Sequence, residues 1–125
     1  MVTTLAYVAL GGATGACLRY LTGIGVTRLV GHGFPLGVIT VNIIGSFLMG
    51  AFVVWAAQRS QTHLSPLVMT GFLGGFTTFS AFSLEAVNLF ERGQTGAAAL
   101  YVLISVVGSI GALFLGLWVA RGILT

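Results

Sequence analysis

Asn42, in "VITVNIIGSFLMG", is a carboxamide set among apolar residues, with Ser46 one turn later on the same face. Tyr101, Ser105 and Ser109 follow at four-residue steps, which aligns three hydroxyls along about two turns of one helix face. Thr77, Thr78, Ser80 and Ser83 crowd into "GFLGGFTTFSAFSLE", Gly71 to Glu85, together with Phe72, Phe76, Phe79 and Phe82. Of these, Phe79, Phe82 and Ser83 share one face of a helix. The groups are N–H donors, O–H donors and the positive rims of aromatic rings, a set that suits loose handling of an anion. Looseness matters because a conducting site must be favourable enough to enter and weak enough to leave.

Each group also has a plainer reading. A buried amide bonds neighbouring helices together, because an unmet polar group in hydrocarbon costs free energy. A membrane serine bonds the carbonyl four residues before it, and paired phenylalanines pack. Both readings stay open for each group taken singly. Three aligned hydroxyls beside an asparagine and a hydroxyl-rich segment favour a polar track.

Other chemistries lack their residues. No cluster of His, Cys or carboxylates supports catalysis, and no Walker motif supports energy coupling. Cys17 is single, so neither an intrachain disulfide nor a multi-cysteine metal site can form; it reads as small packing material. His32 and His63 fall in different connections and read as solvated loop residues, since one side chain cannot supply the three or four ligands of a metal site.

The elements that hold these groups are membrane helices. Of 125 residues, 57% are hydrophobic and only 6% charged, against about 25% charged in soluble domains. Four apolar blocks, about Thr3 to Leu29, Pro35 to Ala57, Pro66 to Phe90 and Gly96 to Ala120, are each long enough to span a bilayer with some tilt. The connections "VGHGF", "QRSQTHLS" and "ERGQT" suit interfacial turns. Met1 to Ala16 lacks a basic leader and an end to its apolar run, and reads as a retained first helix. The expected fold is an all-α membrane protein of one domain, residues 1–125, with four transmembrane helices.

The third of these is expected to break. Gly74-Gly75 followed by Thr77-Thr78 forms helix weakly, and non-helical backbone at membrane depth survives only where it is buried or lines a cavity. A break bares carbonyls of the preceding half and N–H groups of the next, which suit cations and anions respectively. With only Glu85 nearby, a central cation would be held mainly by carbonyl oxygens. Gly11 and Gly15, and Gly108, Ala112 and Gly116, have the four-residue spacing of small residues that lets helix backbones approach closely.

Charge sets orientation weakly here. The net charge of +3 comes from five scattered arginines, a pattern that does not favour nucleic acid as a partner. With four spans, Arg59 and Arg121 fall on one side and Arg28 and Arg92 on the other, while Arg19 lies within the first span. Orientation follows an excess of Lys and Arg on cytoplasmic loops. This near balance lets a chain insert both ways up, and oppositely inserted copies can associate.

"GGFTTFSAFSLE" resembles the signature of the small fluoride channels called Fluc, or CrcB. The glycines of "GGATGACLRY", the "VN" of "TVNIIGSFLMG" and the Tyr101, Ser105, Ser109 stripe occur in that family's order, so the resemblance covers the whole chain. It implies a dual-topology homodimer, two chains antiparallel, with two fluoride pores along the subunit interface, in the cell inner membrane or plasma membrane. It also implies a structural sodium ion at the dimer centre, held by backbone carbonyls of Gly74 and Thr77 from each chain. Phe79 and Phe82 correspond to the family's paired pore phenylalanines, Asn42 to its pore asparagine, and Tyr101, Ser105 and Ser109 to its fourth-helix polar residues. Ala81 stands where threonine is expected in many relatives, so the track beside the rings would run through Ser80 and Ser83. Arg19 matches a first-helix arginine of the family; it either forms a vestibule charge that attracts anions, pairs with Glu85, or reaches to the interface. The implied role is passive export of fluoride that entered as neutral HF.

Two rival readings exist. A small dual-topology multidrug-type transporter of cations has similar size, but it wants an embedded carboxylate in its first helix, where this chain has Arg19 and no acid. A structural subunit that binds another membrane protein through its glycine faces would leave the convergence of Asn42, Phe79, Phe82, Ser105 and Ser109 without a purpose.

Overall fold

The structure, a computed structural model, describes residues 1–124. Those residues form helices joined by short turns, with no strand among them. Helix α1 (Val2–Val30) and α2 (Leu36–Gln58) are followed by a 3-10 turn (Thr62–Leu64) and a π-helical segment (Pro66–Leu73). A single turn, α3 (Gly74–Phe76), then leads through Thr77 and Thr78 into α4 (Phe79–Glu91), and α5 (Thr95–Leu124) completes the chain.

Three stretches are long and apolar enough to cross a membrane: Leu36–Gln58, Thr62–Glu91 and Thr95–Leu124. Outside the Thr77–Thr78 interruption, helix satisfies the backbone groups of these stretches internally, which lipid requires. At 1.5 Å per residue, the 23 residues of α2 reach about 34 Å, enough for a hydrocarbon layer of about 30 Å. The 29 residues of α1 have the length as well, but carry Arg19, Arg28 and five threonines, and α1 is not among the three. Turn chemistry separates the helices. Gly31 and Gly93 adopt φ of 84° and 80°, left-handed backbone that glycine tolerates without a side-chain clash. Pro66 opens the π-helical segment, a first-turn position where a missing N–H costs little.

The helices pack in two intimate pairs. One is α2 with α5, where Gly50 lies against the Leu113 and Leu117 backbone and Gly116 against Phe47 and Ala51. The other is α1 with the first half of the third span, where Gly11 and Gly12 meet Gly71, Gly12 also meets Gly75, and Gly15 lies against the Phe72 and Phe76 backbone. A Cβ built on Gly75 would lie 2.6 Å from the Gly12 carbonyl oxygen, closer than real side chains come. The small residues thus bring backbone against backbone, where dispersion holds helices that no hydrophobic effect drives together in lipid.

This packing revises the reason for the break. Gly74 and Gly75 are themselves helical, and the chain departs from helix at Thr77 (φ −86°, ψ 162°) and Thr78 (φ −152°, ψ 120°). The weak helix-forming stretch does contain the interruption, but Gly75 serves the close approach to α1. Beyond the break, a cluster of Ile39, Leu89, Ala98 and Tyr101, flanked by Phe34 and Phe82, ties α2, α4 and α5 together.

Candidate functional site

The break is built from hydrogen bonds that replace a helical ladder. Thr77 N–H donates to the Leu73 carbonyl at 3.0 Å, the last regular rung, and the Thr77 hydroxyl donates to the same oxygen at 2.9 Å. Thr78 N–H then donates to Asn42 Oδ1 at 2.8 Å, and Asn42 Nδ2 donates to the Thr78 carbonyl at 3.0 Å. The α2 amide therefore grips one extended residue at both backbone ends. Helix α4 begins again because the Thr78 hydroxyl accepts from Ala81 N–H at 3.1 Å, a side-chain N-cap. From α1, Arg19 Nε donates to the Gly75 carbonyl at 3.0 Å. Gly45 makes room for the Thr77 methyl, since any Cβ there would overlap it.

A cavity of about 370 Å³ opens beside this break. Asn42, Thr78, Phe79, Phe82, Ser105 and Ser109 line it, so three helical segments contribute polar groups and aromatic rings to one space. The same space also meets Ser46, Met49 and Thr77. Phe79 and Phe82 have ring centroids 5.5 Å apart at an interplanar angle of 51°, tilted rather than stacked flat. Phe79 is 78% exposed on the single chain. Ser105, in contrast, is only 4% exposed, and its hydroxyl is buried without a partner among the described residues.

Other expected residues lie apart from this space. Tyr101 does not line it, but is wholly buried behind Phe82, with centroids 5.5 Å apart, and meets the edge of Phe34 at 5.6 Å. Its hydroxyl is likewise buried and unpartnered among the described residues. Ser83 donates to the Phe79 carbonyl at 3.0 Å, the routine fate of a helical serine. Ser80 lies 3.4 Å from the Thr78 hydroxyl and also stays outside the cavity. Arg19 and Glu85 line a second opening of about 610 Å³ with Arg28 and His32, yet Arg19 spends its Nε on Gly75. No cluster of three His, Cys, Asp or Glu occurs among the described residues.

Two contributors lie outside the site residues expected from the sequence, although Thr78 belongs to the stretch expected to break. Thr78 supplies both the backbone edge that Asn42 grips and the cap of α4, and its signal is a hydroxyl immediately before the Phe79 helix. Gly45 is visible only through its neighbour, because a glycine in an apolar run does not announce which side chain fills its space.

Comparison with known proteins gives one consistent result. The family model described as CrcB-like protein, Camphor Resistance (CrcB), matches residues 6–117. The chain is 66% identical over 126 residues to the "Fluoride-specific ion channel FluC" of Ruegeria sp. (strain TM1040), with all of both chains covered. The protein of the same description from Roseobacter denitrificans (strain ATCC 33942 / OCh 114) is 62% identical over 122 residues, 96% of this chain and 97% of that one. The one from Cereibacter sphaeroides (strain ATCC 17029 / ATH 2.4.9) is 55% identical over 122 residues, 98% of each.

Proposed function

Because the chain belongs to the CrcB-like protein family, we propose that it is a fluoride-specific ion channel that lets the ion leave the cell passively. The observation that carries this reading is the cavity where Asn42, Phe79, Phe82, Ser105 and Ser109 meet, with the Ser105 hydroxyl buried and without a partner among the described residues. Fluoride is small and strongly hydrated, so a pore must replace its water with donors at short range. The Ser105 and Ser109 hydroxyls supply O–H donors, and Asn42 Nδ2 keeps a second hydrogen beyond the one it gives to Thr78. Ring edges of Phe79 and Phe82 fill in where O–H and N–H are absent. The rival cation exchanger finds no acid in α1.

The membrane arrangement in this reading has four spans, α1 being the first. The working unit is an antiparallel homodimer with two pores, seated in the cell inner membrane or plasma membrane. Its support is the exposure of Phe79 on the single chain, which leaves a pore ring uncovered until a second copy meets it, together with the balanced arginines. A structural sodium ion at the dimer centre belongs to the same reading. The Gly74 and Thr77 carbonyls fit it, because their i+4 donors, Thr78 N–H and Ala81 N–H, are bonded to Asn42 and to the Thr78 hydroxyl. Bound sodium would supply a positive centre to which carbonyls of both chains are drawn.

The test is efflux from liposomes that hold the purified chain and fluoride, with the membrane potential collapsed by an ionophore. A fluoride electrode should record rapid release, while chloride-loaded vesicles stay full. Silence for both ions overturns the channel reading.

A further inference from the structure

Asn42 does more than present a donor to the cavity. In the helix ladder of the third span, the rung after Thr77 N–H to Leu73 would take Thr78 N–H to the Gly74 carbonyl. That donor is instead held 2.8 Å from Asn42 Oδ1, and the return bond from Asn42 Nδ2 to the Thr78 carbonyl is 3.0 Å. An extended residue shows its own N–H and C=O to one side, and a carboxamide carries its acceptor and donor side by side, so the two match. The match keeps Thr78 extended, and Gly74 is left without its helical donor. On the other flank, Arg19 Nε occupies the neighbouring Gly75 carbonyl.

We infer that Asn42 is a positioning residue for the sodium site: by capturing the Thr78 N–H it keeps the Gly74 carbonyl open to a cation. The inference rests on the sodium reading above. Asn42 thereby couples two sites, with Oδ1 and one Nδ2 hydrogen on the break and the second hydrogen on the cavity. Without the acceptor, Thr78 N–H turns to its i−4 helical acceptor, the Gly74 carbonyl, and the first half of the span extends by one rung. Sodium then has to displace an intrahelical hydrogen bond before it can bind.

The experiment titrates the purified full chain, reconstituted as its dimer, with sodium chloride against N-methylglucamine chloride. Thermal midpoint, followed by fluorescence of Trp55 and Trp118, is the readout, so conduction is not required. The unsubstituted protein is expected to gain stability with sodium. Asn42→Leu keeps the side-chain volume but removes the acceptor, and should raise the sodium concentration for half-response by about tenfold. Asn42→Asp keeps an acceptor for Thr78 N–H and should respond to sodium at least as readily as the parent. No sodium response in the parent overturns the sodium reading and this inference with it. A parental response that Asn42→Leu retains unchanged overturns the inference alone. Should the leucine variant fail to assemble, loss of the response in an assembled Asn42→Asp dimer also overturns it.

Discussion

Tyr101 and Ser105 stand one turn apart on α5, each with a buried hydroxyl that has no partner among the described residues. Leaving a buried donor unmet costs about 1 to 3 kcal/mol, so the two hydroxyls are a stability loss on the single chain. If the permeating ion or its water occupies the Ser105 hydroxyl, Ser105→Ala should fold as well as the parent or better, and so should Tyr101→Phe, whose hydroxyl is unmet for a different reason, behind Phe82. Fluoride flux should fall by about tenfold for Ser105→Ala, which lines the cavity, and hold for Tyr101→Phe, which does not. Thermal midpoints and efflux rates measured on the same samples check this. A Ser105→Ala protein that loses stability and keeps its flux would return that hydroxyl to a packing role.

Phe79 and Phe82 test the ring-edge contribution. Isoleucine fills similar space without a polarised rim, and an aromatic contact is worth roughly 1 kcal/mol beyond area. Phe79→Ile and Phe82→Ile should each slow fluoride efflux by about tenfold while the dimer still forms. Phe82→Ile should also cost some stability, because its ring packs on Tyr101 whereas Phe79 is mostly uncovered on one chain. Unchanged flux from both would reduce the rings to filler.

Glycine packing makes a prediction about folding alone. Gly15→Ala and Gly75→Ala place a methyl against backbone atoms of the opposing helix, and neither helix can yield as a flexible side chain would. Overpacking costs typically about 1 to 3 kcal/mol. Both variants should lower the thermal midpoint, and Gly23→Ala, which meets nothing within 4 Å, should not.

Arg19 separates charge from geometry. Methionine has similar reach but no N–H for the Gly75 carbonyl that Arg19 Nε meets at 3.0 Å, whereas glutamine keeps an Nε2–H without the charge and lysine keeps both charge and donors. If the bond to Gly75 matters, Arg19→Met should lose stability, up to about 2 kcal/mol for a charge-assisted bond, and more than Arg19→Lys or Arg19→Gln. If charge recruits anions, Arg19→Gln should lower efflux at low salt where Arg19→Lys does not, with the difference fading as ionic strength rises.

Much of this molecule is legible without coordinates, and the reason is the solvent. Lipid cannot satisfy a backbone N–H or carbonyl, so long apolar runs with few charges are forced into helix, and Gly31 and Gly93 mark where helix gives way. The stretch that interrupts the third span is also visible, as a hydroxyl-rich segment with two adjacent glycines. What composition cannot assign is the partner of each polar atom. Gly75 could be read as a helix breaker, yet it is helical and serves contact with Gly12; the departure from helix falls at Thr77 and Thr78. Arg19, read as a charge for anions or for Glu85, bonds a carbonyl 56 residues away. Asn42 offers the same lesson, since the sequence places an amide within an apolar span but only the approach of Thr78 decides which of its atoms are used. Local sequence sets which groups must be satisfied; long-range packing of α1, α2 and α5 around the break selects who satisfies them, because hydrogen bonds across helices depend on distances that no single segment contains.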